Sequence, residues 1–153
     1  MPWRWTGLGL LSACLLAGGP TRVPVRKSAA SSSLSWTDSV ILARHLSSDT
    51  TSDPELRFHW ESVPFLNDHI GRLKQEAKEA LRHDREILGP PDPGLAVDIL
   101  YFDQRTDLLA LVGIAPQALA LPEANTLLIA TNDSIRAYHA HELMHVLSIG
   151  RWG

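Results

Sequence analysis

Apolar positions between residues 64 and 88 recur at helical spacing. Leu66, Ile70, Leu73, Ala77, Ala80, Leu81 and Ile87 make one stripe, and Gly89 with Pro90-Pro91 ends it. This predicts one long helix closed by a left-handed glycine cap. Ahead of it, Leu56-Arg57-Phe58-His59-Trp60 alternates large apolar and polar side chains, the period of a strand. Residues 95–102 are nearly all apolar, as a strand covered on both faces requires. Asp103 then stands where it can cap a short helix that stops at Gly113. Residues 117–121 and 126–130 read as short strands around the turn Pro122-Glu123-Ala124-Asn125, and Asn132, Asp133 or Ser134 as the cap of a last helix. The predicted order is strand, helix, strand, short helix, two strands, helix. It is an α+β chain whose ordered part, residues 54–153, begins near Pro54.

The first fifty residues break from this pattern. Trp36, Val40, Ala43 and Leu46 make a weak helical repeat, and residues 47–53 return to loop composition. Residues 21–35 are rich in Ser, Ala and basic side chains, so 20–53 reads as a flexible tether holding one short helix. Residues 1–19 read as an export signal, with one Arg in the first five residues, an apolar or small run over 6–17, and then Gly18-Gly19-Pro20. The run is short for a membrane span. Leu11-Ser12-Ala13-Cys14 resembles a bacterial lipobox, whose cysteine is lipidated and anchors the mature chain. Ala17 and Gly19 offer ordinary cleavage as the alternative, although Pro20 follows. Arg22, Arg26 and Lys27 lie just beyond, where export disfavours cations. The expected location is therefore outside the cytoplasm, lipid-anchored in the cell envelope or secreted.

Composition narrows the rest. In 153 residues, 44% apolar and 20% charged, there is material for one core. Fourteen basic and 17 acidic side chains leave a formal charge of -3, with no basic field for nucleic acid. Membrane contact is expected only through the lipid anchor. Cys14 is the single cysteine, so no disulfide forms within one chain.

The chemistry concentrates in His141-Glu142-Leu143-Met144-His145. Residues four apart stack on one face of a helix, so both imidazoles can reach one tetrahedral zinc while Glu142 faces the remaining coordination position. Chance placement on an amphipathic helix is the competing reading. The small and apolar flanks Ala140, Leu143, Met144, Val146 and Leu147 favour a helix buried under a metal site. His139, about 200° round the helix from His141, cannot share that metal, and reads as a surface or hydrogen-bonded histidine. A hydrolytic zinc usually takes three protein ligands and a water, and residues 146–153 hold no His, Asp, Glu or Cys. Asp98, Asp103 and Glu123 lie upstream, but no spacing selects one of them.

These words in this order resemble the peptidase MA-like gluzincins, relatives of the thermolysin type. The matching segments are Arg57-Phe58-His59-Trp60, Val97-Asp98-Ile99-Leu100-Tyr101, Ala118-Leu119-Ala120-Leu121-Pro122 with Asn125-Thr126-Leu127-Leu128-Ile129, and Ala140 through Leu147 around the motif. The resemblance spans roughly the C-terminal two thirds of the chain, and its specific part is the HExxH word. It implies a zincin-like fold, a small mixed sheet packed on one long helix and on the HExxH helix. It implies zinc as cofactor, His141 and His145 as ligands, and Glu142 as the base. It also implies a glutamate on a further helix as third ligand, which makes this chain the N-terminal half of such a domain. A metzincin would need glycine at 148 and histidine at 151, where Ser148 and Arg151 stand.

In that family a sheet edge aligns the peptide substrate. Ala118, Leu119, Ala120 and Leu121 are the candidates, because Pro122 suits an edge strand, while a short core strand is the plain alternative. The leading expectation is an exported zinc metallopeptidase acting on peptides or proteins. A nonenzymatic envelope lipoprotein that keeps the scaffold for binding is the second, and a structural zinc site completed by another chain is the third.

Overall fold

The structure, a computed structural model, describes residues 34–49, 53–89 and 94–152. The export signal, Cys14 and the Pro90-Pro91 stop lie outside the described residues.

Four helices and one five-stranded sheet make the fold. In chain order the elements are α1 (Trp36–Ala43), β1 (Ser47–Asp49), β2 (Leu56–Trp60), α2 (Pro64–Leu88), β3 (Val97–Phe102), α3 (Arg105–Val112), β4 (Ala118–Leu121), a 3-10 turn (Pro122–Ala124), β5 (Thr126–Ala130) and α4 (His139–Trp152). The sheet order is β1-β2-β3-β5-β4. The central strands β2, β3 and β5 are parallel, and the strands at both edges, β1 and β4, run antiparallel to their neighbours. This is the α+β class that the alternating pattern predicts.

The two faces of the sheet have separate cores. Leu56, Phe58, Ile99, Tyr101, Leu127 and Ile129 pack with Leu66, Leu73, Ala77 and Leu81 of α2 and with Leu143, Val146 and Leu147 of α4. On the other face Leu100, Phe102, Leu128 and Ala130 pack with Val40 of α1 and Leu108 of α3. All six residues of β3 and all five of β5 are buried, which explains their unbroken apolar runs.

Several local expectations need correction. Ordered structure begins well before Pro54, because α1 joins the second core and β1 adds a strand where composition reads as loop. Serine-rich Ser47-Ser48-Asp49 carries no apolar alternation, yet its backbone completes the outer ladder of β2. Thr37 on α1 is fixed by a buried hydroxyl contact of 2.7 Å to Thr126. The cap of α3 is Gln104 rather than Asp103. Asn132 closes its own turn, accepting from the backbone of Ser134 and Ile135, and α4 starts only at His139. α3 stops at Gly113 as expected, in a left-handed conformation, whereas Gly89, expected as the left-handed cap of α2, has φ 84 and ψ -177, an extended glycine conformation.

The stripe of α2 also differs at its end. Ile87 is exposed, and Asp84 takes the buried position, because the step from Leu81 to the next turn on the same face is three residues. Asp84 is 1% exposed and its Oδ2 has no hydrogen-bond partner. Burial pushes its pKa up to about 6, against a small opposite pull from His83. A carboxyl whose folded pKa exceeds its unfolded value favours folding at acid pH, and loses that advantage as pH rises through about 6. Asp84→Asn should therefore raise stability at pH 7, by at most about 3 kcal/mol, and change it little near pH 4. Urea unfolding at the two pH values measures this, and a loss of stability at pH 7 would contradict it.

Candidate metal centre

Leu143, Val146 and Leu147 are buried against the sheet, so the helical repeat turns the opposite face of α4 outward. His141 and His145 occupy that face and both are exposed, while Glu142 is half-buried beside them. The two Nε2 atoms are 3.2 Å apart, and the rings meet edge to face at a centroid distance of 4.7 Å. Two nitrogens each about 2.0–2.1 Å from one tetrahedral zinc would lie about 3.3–3.4 Å apart. The observed separation fits that edge. Glu142 lies in the first turn of α4, where the N-terminal end of the helix dipole favours its negative charge.

The surroundings account for the other acids. Asp98 is buried, with Oδ2 2.5 Å from the Arg57 guanidinium and Oδ1 3.0 Å from His59 Nε2. His59 Nδ1 in turn contacts the Ser48 hydroxyl at 2.8 Å. Asp103 accepts from the Gln104 side chain, and Glu123 lies in the 3-10 turn. Among the described residues, no third His, Cys, Asp or Glu groups with another two in a manner that can hold a metal. The pair fits two corners of a zinc site, and the upstream acids do not supply a third.

Two clefts flank the motif helix. One of about 410 Å³ lies between α2 and the start of α4, lined by Glu76, Glu79, Ala80, Arg136, Tyr138 and His141 among others. The other, about 660 Å³ and mainly apolar, is lined by Trp36, Val112, Leu121, the 3-10 turn and Ile149. Ile149 lies one turn beyond His145. β4 forms the sheet edge, as expected for residues 118–121, and each of its four side chains is half-buried. Ala118 and Ala120 face the α2 and α4 core, and Leu119 and Leu121 face the α1 and α3 core. The strand is thus both an edge and part of the packing. Gln117, at its start, donates to the Arg136 carbonyl ahead of α4.

His139 is hydrogen-bonded, not a surface residue. It is 5% exposed, and its Nε2 lies 2.9 Å from the Tyr101 hydroxyl on β3. The same hydroxyl is 3.5 Å from the Leu73 carbonyl. The hydroxyl donates to that carbonyl, and the other ring nitrogen, Nδ1, lies 4.0 Å from Glu76 Oε2. This clasp ties the first turn of α4 to β3 and α2, two residues before His141. The sequence does carry a sign of it, since a tyrosine inside a strand buried on both faces needs a partner for its hydroxyl. Nothing in the spacing identifies that partner.

Burial lowers the His139 pKa to about 4, with Glu76 raising it and Arg72 lowering it by smaller amounts. The unfolded chain, near 6.5, then binds more protons than the fold between those values. The stability associated with neutral His139 is present above about 6.5 and is lost as pH falls toward 4. His139→Gln should flatten that part of the pH–stability curve, and Tyr101→Phe should cost about 1–3 kcal/mol by orphaning Nε2. Urea unfolding across pH 4–7 checks both. An unchanged slope in His139→Gln would contradict the assignment. Comparison of the chain with protein-family models, with curated proteins and with solved structures finds no match.

Proposed function

We propose that the chain carries the metal-binding and proton-transferring part of an exported zinc-dependent peptidase of zincin type. The observation that carries this reading is the 3.2 Å approach of His141 Nε2 and His145 Nε2 on the outward face of α4, one tetrahedral edge wide. Support comes from the arrangement around it. A long helix and the motif helix share one face of a mixed sheet, and an antiparallel strand lies at the edge nearest α4. The resemblance implies these features. Export rests on the apolar run over residues 6–17, and anchoring on Cys14.

Bound zinc supplies Lewis acidity toward a carbonyl oxygen and an acidified water. The chain's own residues do the remainder. His141 and His145 bind through neutral Nε2, and packing of α4 fixes their separation. Glu142, held beside them on the first turn, accepts a proton at its carboxylate and returns it to the leaving amine nitrogen. The outer edge of β4, Ala118–Leu121, offers backbone groups to an extended peptide. The resemblance implies a carboxylate as the third ligand. That only two ligands group among the described residues favours one second reading, a nonenzymatic envelope protein that retains the scaffold for binding.

A quenched-peptide assay on the 153-residue chain separates the two. With two ligands and an open cleft, cleavage should be slow, abolished by chelator, and reduced at least about 100-fold by Glu142→Gln, a substitution that leaves zinc binding intact. Cleavage that persists in Glu142→Gln would contradict the role of Glu142. No cleavage at any zinc concentration would favour the binding protein.

A further inference from the structure

We propose that Ser48 is a nucleophile that takes acyl groups from esters, with His59 as its base and Asp98 orienting the imidazole. The inference stands apart from α4 and its histidines. Ser48 lies directly opposite His59 in the antiparallel ladder of β1 and β2, so the two side chains leave the same face of the sheet. Arg57 pairs with Asp98 across β2 and β3, which sets His59 diagonal to Asp98 and within its reach. Strand register thus brings a serine, a histidine and an aspartate from neighbouring strands into one row. The distances close it. Ser48 Oγ lies 2.8 Å from His59 Nδ1, and His59 Nε2 lies 3.0 Å from Asp98 Oδ1.

The chemistry of the row has a direction. A carboxylate only accepts, so Nε2 carries the hydrogen that reaches Asp98. In the neutral ring Nδ1 then keeps its lone pair, and the Ser48 hydroxyl donates to it. These are the three roles of the serine hydrolase triad, with the two ring nitrogens exchanged. Exposure is graded in the same sense, because Ser48 is exposed on the outermost strand while His59 is 4% and Asp98 6% exposed. The nucleophile is open to a substrate and its base is shielded from water. Satisfying the buried carboxylate does not account for Ser48, since the Arg57 guanidinium at 2.5 Å and the His59 ring already occupy both Asp98 oxygens.

The transfer balances within the row. Ser48 Oγ forms a bond to the ester carbonyl carbon, and its proton passes to His59 Nδ1. The carbon–alkoxy bond then breaks, and the same proton leaves with the alkoxide as alcohol. Water repeats the route, its oxygen bonding to the carbonyl carbon while His59 takes its proton and returns it to Oγ as the acyl–serine bond breaks. Esters are the substrate class because an alkoxide leaves more readily than an amine nitrogen.

The test is labelling of the 153-residue chain by a fluorophosphonate, in chelator so that no metal contributes, with the modified residue located by peptide mass spectrometry. In that reaction Oγ bonds to phosphorus, fluoride leaves and the proton goes to His59. The expected result is one label per folded chain, on Ser48, and none on the chain in urea. Ser48→Ala, at an exposed position, keeps the fold and removes the label, while His59→Gln and Asp98→Asn each slow it at least about 100-fold. 4-Nitrophenyl acetate should give a burst of one nitrophenolate per chain in the wild type and none in Ser48→Ala. No label on Ser48, labelling as fast in urea or in His59→Gln, or an unchanged burst in Ser48→Ala would overturn the proposal. Zinc binding by His141 and His145 is unaffected by any of these outcomes.

Discussion

The burial of Leu143, Val146 and Leu147 against the sheet is the constraint on which the rest depends. Each such side chain contributes about 1.5–3 kcal/mol when removed from water, and together they leave α4 a single orientation. With that face inward, His141 and His145 have only the outward face to occupy, one turn apart. Their Nε2 separation is thus a result of core packing on the far side of the helix. The Tyr101–His139 hydrogen bond adds a second fixed point at the start of α4. Because His139 is buried and neutral, that point is tighter at neutral than at acid pH.

The sheet supplies position in the same indirect way. Three parallel central strands bury β3 and β5 on both faces and leave antiparallel strands at each end. β4 owes its place to this arrangement, an edge beside the motif helix with half-buried alanines and leucines. The far edge shows the opposite solution, in which Arg57, Asp98, His59 and Ser48 form a connected polar chain that satisfies a buried carboxylate. Asp84 has no such partner at Oδ2, and burial raises its pKa accordingly.

Much of this was legible in the residues, and the failures have physical causes. The long stripe of α2, the continuous apolar runs of β3 and β5 and the histidine spacing follow local periodicity, which local sequence records. β1 did not, because an edge strand of Ser47-Ser48-Asp49 is held by backbone pairing and needs no apolar alternation. Ile87 and Asp84 exchanged roles because an apolar residue and a polar one stood where composition and angle disagree, and angle decided. The cap at Gln104 and the start of α4 at His139 escaped because Asp103 and Asn132 are drawn into other contacts. His139 itself shows the limit most clearly, since its partner Tyr101 lies 38 residues away and only tertiary packing brings them together.

The central claim is that His141 and His145 share one metal ion through Nε2. Long-range proton–nitrogen correlation spectra of the imidazoles, recorded during a zinc titration at neutral pH, test it most directly. The account predicts that the Nε2 signals of His141 and His145 move together and saturate at the same zinc level. The signals of His139, held by Tyr101, stay in place. Movement of one histidine without the other, or of neither, would contradict it.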